Sequence, residues 1–137
     1  MIKEWLSTYF YNDMANIPVY LLTFGVALLI LGAAIFFHEL GHLLYFRLIL
    51  KNKSAKIRFV YNSLSNFGWE AGSKQDYLQL NEKQYVGVYL FGILLGTIPI
   101  LFSAYIWFPF VMILIPYFVG CKHDIKEINK NVEFKEN

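Results

Sequence analysis

Cysteine is nearly absent from this sequence and charge is scarce, and both shortages narrow the available chemistry. Cys121 is the single cysteine, so no internal disulfide, no Cys-rich zinc site and no CxxC redox pair can form. A bound metal must then be held by histidine and carboxylate. Charged residues make up 16% of the 137 and the formal net charge is +2, too little to attract nucleic acid, so no nucleic-acid partner is expected. The chain is instead 57% hydrophobic and 19% aromatic, the composition of a protein whose solvent is the lipid bilayer.

Two runs lack charge altogether. Residues 19–37 cover roughly 28 Å as a helix, at about 1.5 Å per residue, close to the hydrocarbon thickness of a bilayer. Pro18 suits the first turn, where its missing N–H has no partner to lose. The helical pattern continues to Leu50, with Arg47 reaching for the interface, and stops at Lys51-Asn52-Lys53, which defines helix one as residues 18–50. This apolar stretch exceeds the core of a secretory signal and no small-residue cleavage site follows it, so it is expected to remain in the mature protein.

The second uncharged run, residues 86–120, is too long for one span and fits two joined by a tight turn. Helix two is expected at 83–103 and helix three at 107–122, with Tyr105 and Trp107 anchoring the turn and Pro99 and Pro116 as places for kinks. Gly87 and the G-x-x-x-G match Gly92-Ile93-Leu94-Leu95-Gly96 predict close helix packing. Residues 1–17, with Trp5, Tyr9 and Tyr11, suit a segment at the membrane surface, and residues 123–137 read as a polar, mostly structureless tail.

Between helices one and two lies the most polar section, residues 51–82. Residues 56–61 alternate polar and apolar as a half-buried strand does, Asn62-Ser63-Leu64-Ser65-Asn66 is turn-rich, and residues 67–70 can return as a second strand. Lys51, Lys53, Lys56, Arg58, Lys74 and Lys83 outnumber Glu70, Asp76 and Glu82 in 51–84, whereas the 103–109 turn has no charge. The positive-inside rule therefore places this loop and the C-terminus in the cytoplasm and the N-terminus outside, in a multi-pass protein of the plasma membrane. The expected fold is membrane all-α: three transmembrane helices with a small cytoplasmic β-hairpin between the first two.

Within helix one stands His38-Glu39-Leu40-Gly41-His42, an H-E-x-x-H motif. Residues four apart share a helix face, so both imidazoles can address one ion with Glu39 beside it as a base. Two histidines and a glutamate at membrane depth cost several kcal/mol unless something pairs with them, which makes passive packing a poor explanation. The charge-derived topology brings Asp124 to the same membrane face. Its neighbour His123 competes as third ligand, since imidazole suits zinc, and adjacent helical residues point about 100° apart, so the two are alternatives for one ion unless the helix unwinds. Asp76 is a weaker contender, better read as the N-cap of a helix starting at Tyr77. Cys121 reads as a small apolar filler.

The motif, the strand-like loop after it and the two further spans resemble the site-2 protease family of intramembrane zinc metalloproteases, across residues 18–125. The resemblance implies a single transmembrane metalloprotease domain, Zn2+ held by His38, His42 and Asp124, and Glu39 as the catalytic base. Asp124 matches the family's third ligand by position, although Ile125 follows it where the family usually has glycine. Substrates would be transmembrane proteins cleaved in or near their membrane segments, with the β-hairpin either pairing with an extended substrate or only capping the helices. The competing expectation is a non-catalytic membrane metal-binding or scaffold protein of the same fold.

Overall fold

Two glycines set the closest approach in the fold. A Cβ added to Gly41 would lie 2.8 Å from the Cα of Gly92 and 2.7 Å from the carbonyl oxygen of Phe91, so the two helices carrying them meet backbone to backbone. The computed structural model describes residues 17–63 and 66–133. Apart from Ile17, the expected surface segment 1–17 lies outside the described residues, as do 64–65 and the last four residues of the tail.

Helix α1, Ile17–Leu44, begins beside Pro18 as expected and runs into a π-helical turn, Tyr45–Ile49. Ala34, His38, Gly41 and His42 form its buried stripe at helical spacing, while Leu21, Leu22 and Leu29 are 66%, 70% and 75% exposed. Lys51, at φ 55, closes the element and lets the Asn52 N–H return to the Phe46 carbonyl at 2.9 Å. Arg47 folds back, donating from Nε to the Ala55 carbonyl at 3.0 Å.

The hairpin pairs β1, Ile57–Ser63, antiparallel with β2, Asn66–Ala71, in the register Ile57 opposite Ala71 and Phe59 opposite Trp69. Both strands extend further into the turn-rich stretch than the sequence pattern indicates, with an irregularity between Tyr61 and Ser63. Trp69 stacks edge-on against Phe59 and against Phe36 of α1, at 5.3 and 5.6 Å between ring centroids, and so docks the hairpin on the helix.

The short α2, Lys74–Leu78, corrects the reading of Asp76. Ser73 is the N-cap, and Asp76 is the third helical residue, whose carboxylate accepts from the Ser73 backbone N–H at 2.7 Å while its own N–H donates to the Ser73 hydroxyl oxygen. A serine three residues upstream offers the shorter reach to the orphan N–H groups, so the aspartate takes the reciprocal role. Asp76 also accepts from Asn52 Nδ2 at 2.7 Å and belongs to this loop network, away from the histidines.

Helix α3, Glu82–Ile106, opens with a second capping box between Asn81 and Gln84 and buries Val88, Tyr89, Gly92, Ile93, Gly96 and Ile100. It continues through Pro99 and ends where Trp107 turns extended.

Helix three is not one straight helix over 107–122. It begins as a 3-10 segment, Phe108–Ile113, becomes α4 at Leu114–Gly120, breaks at Cys121 and resumes as α5, Lys122–Glu133. Pro109 starts the 3-10 segment, and Pro116 has no N–H to offer residue 112, so a continuous α-helical ladder over this stretch is unavailable. The expected structureless tail is α5 up to Glu133. Asp124 and Ile128 share its inner face; Ile128 packs on the core and Glu127 accepts from Tyr85 of α3 at 3.3 Å. Charge along this segment read as solvation, yet one face of it is partnered.

Ile17–Ile49 and Glu82–Ile106 are long and apolar enough to cross a membrane, and a third such segment exists if Phe108–Gly120 and Lys122–Asn129, bent by 58°, count as one span. Mostly helical architecture and a two-stranded hairpin between the first two long helices thus agree with the sequence reading.

Candidate metal centre

His38 and His42 stand between the two core clusters, one around Ala34, Ile93 and Tyr117, the other around Leu43, Phe46 and Val88. Both are buried, at 7% and 3% exposed. The break at Cys121 tilts α5 so that Asp124 reaches them. Asp124 Oδ2 lies 2.7 Å from His38 Nε2 and 3.4 Å from His42 Nε2, and the two Nε2 atoms are 3.0 Å apart. Among the described residues this is the group of His, Cys, Asp and Glu whose ligand atoms converge closely enough to hold a metal, all within 4.8 Å of one another.

Hydrogen bonds behind the rings assign the tautomers. His42 Nδ1 is 2.9 Å from the Val88 carbonyl, which can only accept, so Nδ1 carries the proton. Tyr117 donates its O–H to the Ile93 carbonyl at 3.0 Å, leaving its oxygen to accept from His38 Nδ1 at 3.0 Å. With both rings neutral, each Nε2 presents a lone pair toward the Asp124 carboxylate. Three acceptors then crowd together with no proton among them, a donor set complete for a divalent cation and otherwise in need of one extra proton.

Space for these rings is made by glycine. A Cβ on Gly92 would lie 2.8 Å from His42 Nε2, and one on Gly96 would overlap the Tyr117 hydroxyl. The G-x-x-x-G match therefore marks where α3 yields to the side chains of the site. Gly87 yields likewise to Tyr45.

Glu39 stands beside the cluster. Its Oε2 accepts the backbone N–H of Ala71, at the end of β2, at 3.0 Å. Gly72 N–H bonds to the Lys56 carbonyl across the hairpin, so by strand alternation the Ala71 N–H points off the free edge of β2, toward α1. Glu39 and Asp124 each line two cavities that meet at the cluster.

His123 is exposed at the rim of one cavity and is not among the converging atoms. Cys121 is buried as expected, yet its sulfur lies 3.6 Å from His38 Nδ1, so it touches the site. Sequence reasoning passed over Tyr117, the Val88 and Ile93 carbonyls and the Ala71 N–H. Only Tyr117 carries a signal, a polar-tipped side chain inside an uncharged run; the others are backbone groups that any sequence possesses.

Comparison of the chain with family models, curated proteins and solved structures finds no match.

Proposed function

We propose that the chain is an intramembrane zinc metalloprotease, with His38, His42 and Asp124 as ligands and Glu39 as general base. The observation that carries this reading is the convergence of three acceptor atoms beside a glutamate, at the base of two cavities. Zinc held by these three residues would supply a Lewis acid and an activated water there. The Val88 carbonyl and the Tyr117 hydroxyl hold the two rings in the ligating tautomer. Ala71 fixes one oxygen of Glu39, leaving the carboxylate oriented to take a proton from the attacking water. Glu39 would then return that proton to the amine nitrogen as the water oxygen bonds to the scissile carbonyl carbon and the C–N bond breaks.

The apolar surface of α1 and α3 supports placement in a bilayer, because a patch so large is unsuited to water. The excess of Lys and Arg in the hairpin section supports, by the positive-inside rule, a cytoplasmic orientation of this end of the molecule. Substrates would be transmembrane segments, locally unwound because a helix hides its carbonyls in hydrogen bonds.

The test is metal analysis of the purified chain together with cleavage of a membrane-segment peptide in lipid vesicles. Stoichiometric zinc, cleavage by the wild type and none by Glu39→Gln support the reading. Zinc without cleavage of any membrane segment turns the assignment to a non-catalytic metal-binding protein.

A further inference from the structure

Two cavities meet at the cluster, and their walls differ. The first, about 310 Å³, opens between the hairpin and the start of α5, with Arg58, Glu70, Lys74 and His123 on its walls. The second, about 260 Å³, lies between α1 and α4 and is walled by Leu31, Ile35, Pro116, Gly120 and Cys121. Glu39 and Asp124 belong to both; His42 lines only the first and His38 only the second. A peptide laid across the cluster therefore has one flank beside charged side chains and the other against aliphatic ones.

On the outer wall of the first cavity two cations, Arg58 and Lys74, face one carboxylate, Glu70. Arg58 and Glu70 approach at 3.4 Å with side chains 60% and 54% exposed, a pairing that solvent weakens. Lys74 is exposed beside them with no opposing carboxylate on the outer wall besides Glu70. Of the two deeper carboxylates, Glu39 accepts from Ala71 and Asp124 is aimed at the Nε2 atoms of the histidines, 2.7 Å from that of His38.

We infer that the site selects a substrate segment at an apolar-to-acidic junction. An aliphatic side chain enters the cavity between α1 and α4, and an Asp or Glu on the other side of the scissile bond meets Arg58 and Lys74. This rests on the peptide-hydrolysis reading and adds the substrate class to it.

Binding can be read apart from cleavage. Three fluorescent peptides share one aliphatic run followed by Asp-Glu, Asn-Gln or Lys-Lys, and their affinity for the full-length, zinc-loaded Glu39→Gln chain in detergent is measured by anisotropy. The acidic peptide is expected to bind about five- to tenfold more tightly than the lysine peptide, a gap that shrinks in 0.5 M NaCl because the side chains are exposed. The double variant Arg58→Glu, Lys74→Glu, made at exposed positions, should reverse the order. Replacing the aliphatic residue nearest the junction by Asn should weaken all three peptides about tenfold. Equal affinities, or an order unchanged in the double variant, overturn the inference. If the order holds but the wild type cleaves no peptide, the hydrolysis reading fails while the selectivity stands.

Discussion

Glu39 and Ala71 are joined across the molecule: a carboxylate oxygen of α1 accepts the backbone N–H that ends β2, at 3.0 Å. The orientation of Glu39 and the end of the hairpin are thus tied by this contact, which adds to the packing of Trp69 on Phe36. Glu39→Gln keeps an acceptor for that N–H, and its turnover should fall about a hundred- to ten-thousand-fold with zinc retained. Glu39→Ala removes the acceptor as well. Hydrogen exchange at the Ala71 amide should accelerate in Glu39→Ala and stay slow in Glu39→Gln; equal exchange in both would show that the contact does not hold the hairpin.

Asp124 and His123 are adjacent, and only the first converges on the histidines. Asp124→Ala should lower zinc affinity sharply, whereas His123→Ala should leave it unchanged, as titration with a competing chelator will report. Removing the metal should also lower thermal stability, by about 2.7 kcal/mol if free zinc had stood at a hundred times its dissociation constant. The opposite ranking of the two variants would transfer the third-ligand role to His123.

Tyr117 bonds to His38 at Nδ1, the ring nitrogen that does not face Asp124. Tyr117→Phe deletes the hydroxyl while keeping the ring. Zinc affinity should fall about 10- to 100-fold, the usual effect of losing such a partner, with the helical circular dichroism unchanged. An affinity equal to wild type would remove Tyr117 from the site.

Glycines on α1 and α3 should separate cleanly. Gly92→Ala brings a methyl to 2.5 Å from the buried His42 ring and should destabilise by about 1–3 kcal/mol while weakening zinc binding. Gly32→Ala meets nothing within 4 Å and should be neutral or stabilising by up to about 1 kcal/mol. Thermal unfolding in detergent measures both, and similar shifts for the two would mean the crossing is looser than described.

The Ser73 hydroxyl, with the Ser73 N–H and Asn52, holds the Asp76 carboxyl below the ordinary carboxylate range. A carboxyl depressed in the folded chain stabilises it above the unfolded pKa, and that contribution is lost as pH falls through the folded value. The start of α2 should therefore loosen below about pH 4, seen as faster amide exchange at Asp76, and Asp76→Asn should flatten the dependence. Asp76 is half-buried within this loop network, so the effect stays local to the start of α2.

Local pattern carried far in this chain. Uncharged runs at 19–37 and 86–120 marked the long helices because a buried or lipid-facing backbone needs apolar side chains around it. Alternation at 56–61 marked β1, and four-residue spacing put His38 and His42 on one face. Helix three was legible only as an apolar run, since hydropathy does not register a change of hydrogen-bond ladder at Pro109 and Pro116. Its amphipathic continuation α5 was hidden because charge can mean either a solvated face or a partner on the neighbouring helix.

From the sequence alone follow the chemical kinds at the site: with one cysteine and three histidines, any metal has to be held by imidazole and carboxylate, with Glu39 next to them. Tertiary structure decided which carboxylate converges on the histidines. A break at Cys121 turns Asp124 inward and leaves His123 outside, eighty-odd residues from the motif in sequence and 2.7 Å from His38 in space. The rest depends on the same packing. Gly92 and Gly96 open room on α3, and Val88, Ile93 and Tyr117 aim the rings, because backbone carbonyls acquire a role only when the fold sets them against a particular nitrogen.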